Sequence, residues 1–286
     1  MHRDLPIDEL RLRRFARLAA PLLRGAAAQG VGPQAARDRA GAGLEFHDLQ
    51  PYTVGEDARH IDWRQTARRQ KLVVRRYRDE AASDWFLCVD GSASMRTEGK
   101  WQLVTELATA LSYALLHCGH RVGLAIFAER IHVWCATGRG QRQFASLVHE
   151  LMDYEPPAFG GASLPGLCAR SAGRNANVML ISDLLRADSM ADDLRRLRAG
   201  ASSADVIQVL GDEVRTELRG PAVVYDIESG LQRRVELGDT ASSTAAVALD
   251  MHQQTTRRLL ATLNMPITSC RAGDNWEGVL LQHLGT

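Results

Sequence analysis

From residue 84 onward the chain alternates short, uninterrupted apolar runs with longer segments of helical period, and this alternation restricts its fold more than any other feature. The run over 84–89, ending FLCV before Asp90, has no polar face, as expected of a parallel strand covered on both sides. Residues 100–117 then place Val104, Leu107, Ala108, Leu111 and Leu115 at helical spacing, with Gly119 where a helix stops. Strands at 121–127 and 131–135 form a hairpin-like pair. Helices at 141–152 and 164–172, a buried strand at 177–181, a helix at 188–199 and a strand at 205–210 follow. Two short strands, 222–225 and 233–237, make a small β insertion near 211–237. A helix at 243–263, a strand at 266–270 and a helix at 276–284 complete the series. The pattern predicts an α/β fold: a doubly wound, mostly parallel sheet with helices on both faces. Ligands of such sheets gather beyond the carboxyl ends of the strands.

An N-terminal helix and a strap precede this region. Residues 8–24 carry apolar side chains at 12, 15, 18, 19 and 22 and an Arg-rich back, the pattern of an amphipathic helix. The Gly- and Ala-rich stretch 25–43 reads as a loop. The domain boundary falls between 1–82, helix plus a charged segment packing on the main domain, and 83–286. Composition is that of an ordinary globular chain, with 45% hydrophobic residues and a net charge of +1. Lys71 and Lys100 are the only lysines among 35 basic residues. No apolar stretch approaches the roughly 20 residues of a membrane span, and the first residues hold no signal-peptide core. The five cysteines form no CxxC pair and read as free thiols of a reducing compartment, so a cytoplasmic location is expected.

Two buried strands run into acids at their carboxyl ends, FLCVD at Asp90 and VMLISD at Asp183. Between them GGAS presents Ser163 on a glycine turn. With Ser92 and Ser94 in the DGSAS loop, the topology brings two carboxylates and three hydroxyls to one sheet edge. Oxygen-only donors suit Mg²⁺ or Mn²⁺, and the lack of nearby His or Cys argues against zinc. Taken singly, Ser92, Ser94 and Ser163 read as helix or loop caps before they read as ligands, Ser163 most naturally because Pro165 follows it, and Asp183 alone reads as a loop cap. Together with a buried strand-end Asp that needs a charge partner, the five read as a site.

The stretch Asp90-Gly91-Ser92-Ala93-Ser94-Met95 resembles the DxSxS motif of von Willebrand factor A domains, the first loop of their metal-ion-dependent adhesion site. The resemblance covers about 83–286. It implies that Ser92 and Ser94 hold the metal directly, that Ser163 stands for the family's threonine, and that Asp183 acts mainly through water. A second resemblance lies upstream. Glu45-Phe46, Asp48-Leu49, Tyr52, Gly55, Asp57, Arg59, Ile61-Asp62-Trp63, Ala67-Arg68 and Arg75 are similar to the signature of the bacterial domain-of-unknown-function 58 family, with Gln50 and Glu56 as departures. It implies a MoxR-type AAA+ ATPase as partner. The interleaved charges of this segment, Asp48, Asp57 and Asp62 with Arg59, Arg64, Arg68 and Arg75, read as an ion-pair network around Trp63 and Tyr52. They cancel the field that nucleic acid requires.

Three functions remain. The first is a metal-dependent interaction module, a co-chaperone or adaptor whose metal takes a partner's carboxylate. The second is a Mg²⁺-dependent phosphohydrolase or phosphotransferase. Ser92 stands where such an enzyme needs its second carboxylate, no lysine is placed near the site, and no phosphate loop is present, so an enzyme is not expected. The third is a metal-free scaffold of the same fold.

Overall fold

The computed structural model describes residues 5–30, 45–52, 61–69, 71–78, 82–171, 176–185, 190–211, 219–227 and 230–285. In chain order these form α1 (Glu9–Gly30), β1 (Glu45–Pro51), α2 (Trp63–Arg69), β2 (Val73–Arg78), β3 (Asp84–Asp90), α3 (Lys100–His117), β4 (Arg121–Phe127), β5 (Ile131–Gly138) and α4 (Gly140–Asp153). Then come α5 (Cys168–Ser171), β6 (Asn177–Ser182), α6 (Met190–Gly200), β7 (Ser203–Leu210), β8 (Gly220–Tyr225), β9 (Gln232–Leu237), α7 (Asp239–Thr262), β10 (Ile267–Arg271) and α8 (Trp276–Leu284).

Six strands make the main sheet in the order β10-β7-β6-β3-β4-β5, with only β5 antiparallel. This is the expected doubly wound α/β sheet. The order in which successive strands are added reverses between the parallel neighbours β3 and β6, the place where open α/β sheets bind ligands. The alternation along β3 explains why it is apolar throughout. Trp85, Leu87 and Val89 pack with α1, α3, α4 and α8 on one face, while Phe86 and Cys88 pack with α5 and α6 on the other. Gly119 takes φ 84°, the left-handed conformation that closes α3. The small insertion is the antiparallel pair β8–β9.

Two expectations at the N-terminus change. The helix continues beyond residue 24 to Gly30, into the stretch read as loop, although Pro21 lies inside it. Its buried stripe is Leu12, Phe15, Ala16, Ala19 and Leu23, while Leu18 is 49% exposed. The stripe thus follows 3.6 residues per turn more strictly than the apolar positions alone do. Phe15 meets Trp276 of α8 edge-on at 5.3 Å, and Arg14 pairs with Glu277 at 3.4 Å. Residues 1–30 and 83–286 therefore form one unit and 31–82 another, in place of a boundary at 82.

Within the second unit, β1 and β2 pair antiparallel. Asp62 caps α2 by accepting the backbone N–H groups of Arg64 and Gln65 at 3.0 and 3.1 Å. Trp63 is 67% exposed, so its ring is not the centre of a buried ion-pair network. Asp57 and Arg59 of that expected network lie outside the described residues.

On α8, His283 is buried and its Nδ1 lies 3.0 Å from the Thr268 hydroxyl of β10. Burial lowers its pKa from 6.5 to about 4. The unfolded chain therefore takes up this proton first as pH falls. Stability is complete above about pH 6.5 and declines toward about pH 4, by about 1.4 kcal/mol per pH unit. Urea unfolding across this range is expected to show the slope, and His283→Gln to remove it.

Candidate metal-type site at the sheet switch point

The site begins with the β3–β6 register. Val89 is paired with Ile181, so Asp90 lies beside Ser182 one step further along. The Ser182 hydroxyl donates to Asp90 Oδ2 at 2.6 Å. The Ser163 hydroxyl donates to the same oxygen at 2.6 Å, and the Ser92 N–H donates to Oδ1 at 2.9 Å. Asp90 is wholly buried. Burial, then the charge of Asp183, raises its pKa from 3.8, and the bonds from Ser163, Ser182 and Ser92 oppose that rise.

The DGSAS loop is shaped by close packing. A Cβ on Gly91 would lie 2.7 Å from both Ile126 and the Tyr154 ring, so only glycine fits. Tyr154 donates its hydroxyl to the Gly91 carbonyl at 2.9 Å, and the Gly91 N–H donates to Phe127 O at 2.7 Å. Burial and the nearby Asp90 and Glu129 charges push the Tyr154 phenol up to about 12, which keeps it a donor at neutral pH. The turn before Ser163 needs its glycines too, since Gly160 and Gly161 take φ 86° and 81°. Gly160 ties that turn to the Ser92–Ala93 loop by accepting the Ala93 N–H, and to the β8–β9 turn by donating to Ile227 O.

The Ser92 and Ser94 hydroxyls stand 3.2 Å apart, both buried. Adjacent oxygens around an octahedral ion with bonds of about 2.1 Å are separated by roughly 3.0 Å. The two hydroxyls hydrogen-bond each other at a spacing that a small hard cation would also accept, and Ser163 places a further buried hydroxyl on Asp90. Ser163 does not cap the following turn, whose N-cap is Leu164. Among the described residues no three His, Cys, Asp or Glu side chains gather as a metal-holding group. A cation here would rest chiefly on hydroxyls, with Asp90 holding them in place.

Asp183 is brought to the same edge but is already engaged. Its Oδ1 accepts the Leu185 N–H at 3.3 Å, and its Oδ2 accepts from Lys100 Nζ at 3.2 Å. Both side chains are buried, 1% exposed for Lys100 and 2% for Asp183. The expectation that no lysine lies near the site is thus wrong. Lys100 opens α3, directly after the short 3₁₀ turn from Ala93 to Gly99 that follows the DGSAS loop, and its ammonium reaches Asp183.

Sequence reasoning also missed a polar row across the sheet. By register Ser182 lies beside Gln208 of β7, and Gln208 beside Ser269 of β10. Gln208 donates to Asp183 O at 3.0 Å and accepts from the Ser269 hydroxyl at 3.0 Å. Leu184, at φ 54°, is a non-glycine residue in the left-handed region. Its N–H donates to Ser182 Oγ at 3.0 Å, and its carbonyl lies 2.7 Å from His252 Nε2. The strain it carries follows directly after Asp183 and is sustained by these partners. Single polar residues that interrupt apolar strands, as in LISD, VIQVL and ITSC, were the available signal.

Removing one member of a buried ion pair leaves the other charge uncompensated, at a cost of about 3–5 kcal/mol. Lys100→Met is expected to lose stability on this scale in urea unfolding at neutral pH. Lys100→Met combined with Asp183→Asn is expected to recover most of it. Additive losses in the double variant would show that the pair is not coupled.

The uncharacterized protein Rv1480 of Mycobacterium tuberculosis and the uncharacterized protein Mb1516 of Mycobacterium bovis are each 28% identical over 247 residues, covering 82% of this chain and 77% of theirs. Among solved structures, the conserved hypothetical protein BatB from Bacteroides thetaiotaomicron superposes with a TM-score of 0.44 at 12% identity, over 71% of this chain and 98% of that one. The SpRpn10 VWA domain does so with a TM-score of 0.41 at 13% identity, over 71% and 95%. Residues 48–256 match the family described as "Protein of unknown function DUF58", and the chain belongs to that family.

Proposed function

We propose that the chain is a protein-interaction module that receives a partner's carboxylate beyond the ends of β3 and β6, through Mg²⁺ or Mn²⁺. It acts as a co-chaperone or adaptor for a MoxR-type AAA+ ATPase and its clients. The observation that carries the reading is the Ser92–Ser94 hydroxyl pair, 3.2 Å apart, on a loop fixed by a buried and fully bonded Asp90. Such an ion would supply a positive charge to which a partner's Asp or Glu could bind. Ser92, Ser94 and Ser163 would hold it. Asp90 holds the Ser163 hydroxyl and the Ser92 N–H, the Ser92 and Ser94 hydroxyls bond each other, and Tyr154 with Gly91 fixes the loop. The ATPase partner rests on the resemblance of residues 43–80 alone. Phosphoryl transfer is disfavoured because Ser92 supplies no acid/base carboxylate where such an enzyme needs its second one. No helix among the described residues is long and apolar enough to cross a membrane.

One observation favours the scaffold as a second reading. The Lys100 ammonium already places a positive charge on Asp183, as a metal-free site would require.

Thermal unfolding with and without Mg²⁺ separates the two. A ligand at a hundredfold excess over its Kd adds about 2.7 kcal/mol of stability. The module predicts a rise in Tm for the wild type and none for Ser92→Ala/Ser94→Ala, which leaves Asp90 as it is. It further predicts that affinity capture from the native host recovers an AAA+ ATPase with the wild type and loses it with the double variant. No Mg²⁺ effect would establish the scaffold, and capture without any AAA+ ATPase would reject the adaptor role.

A further inference from the structure

Lys100 is the side chain that the interaction reading leaves unexplained. It is one of two lysines in a chain whose other basic residues are all arginine. It is buried, and its Nζ lies 3.2 Å from Oδ2 of Asp183, whose charge acts on Asp90. Lysine carries a compact point charge on a flexible stem, whereas the planar guanidinium is wide and forked. The cluster holds two carboxylates, Asp90 and Asp183, against this one ammonium. A divalent ion seated on Ser92, Ser94 and Ser163 would face a like charge at close range, in surroundings that screen it poorly.

We propose that Lys100 is a built-in cation that competes with the divalent ion for Asp183, so that the site carries either the ammonium or the metal on that carboxylate. This rests on the metal-dependent reading above and adds a regulator to it. With Lys100 on Asp183 the site is complete and closed without metal. Loading an ion moves the ammonium off Asp183. Lys100 is the first residue of α3, and Gly99 before it has φ 77°, so the movement falls at the junction between the DGSAS loop and the helix. Ion occupancy is thereby linked to the conformation of that junction, which borders the face a partner would meet.

The test is Mn²⁺ titration of the full chain by calorimetry, with Mn²⁺ electron paramagnetic resonance as a second readout, on the wild type, Lys100→Met, Lys100→Gln and Lys100→Arg. Lys100→Gln keeps an N–H donor for Asp183 without the charge, and it carries the test if Lys100→Met does not fold. Both neutral variants are expected to bind Mn²⁺ at least tenfold more tightly than the wild type, and Lys100→Arg not to gain. Equal affinity in the wild type and Lys100→Gln overturns the competition and leaves the metal-dependent reading standing. Binding by Lys100→Gln with none by the wild type supports the competition and removes metal dependence from the native chain. No Mn²⁺ binding by any variant overturns both.

Discussion

The buried carboxylate of Asp90 is the constraint around which the rest of the structure is arranged. A charge in the core of a parallel sheet is tolerated only when its oxygens are saturated by donors. Here the donors come from three different places: the loop that follows Asp90, the 160–163 turn, and the neighbouring strand β6. One side chain thus couples three connections that are remote in sequence, and it fixes their relative positions to within hydrogen-bond tolerance. Glycines 91, 160 and 161 are the local consequences, since each permits an approach or a backbone angle that another residue would not.

From Asp90 the polarity spreads sideways. Ser182, Gln208 and Ser269 occupy successive positions across β6, β7 and β10, just where the apolar strands end. This row links the carboxylate cluster to the far edge of the sheet, while Lys100 neutralises Asp183 from below. A buried network of this kind specifies one geometry more than it adds stability. That is the property the proposed interaction surface would need, because its donors must be in place before a partner arrives.

Much of this was legible in the sequence. The alternation of apolar runs and helical periods was enough for the sheet, its helices and the β8–β9 insertion, because burial on both faces of β3 and β6 leaves no other pattern. The convergence of Asp90, Ser92, Ser94, Ser163 and Asp183 followed from the rule that loops meet beyond the strand ends. What escaped depended on register and reach. Ser182 becomes a partner of Asp90 only once β3 and β6 are aligned. Lys100 opens a helix eighty-three residues from Asp183, and only the fold brings its ammonium to that carboxylate. The extent of α1 was misjudged because Ala- and Gly-rich sequence is silent about which face is buried.

The account turns on whether this oxygen cradle holds a cation. The most direct measurement is anomalous scattering from crystals grown with Mn²⁺. It is expected to show a peak within bonding distance of the Ser92 and Ser94 hydroxyls, with Lys100 displaced from Asp183. Crystals with no peak at that place, and Lys100 still on Asp183 at high Mn²⁺, would contradict it.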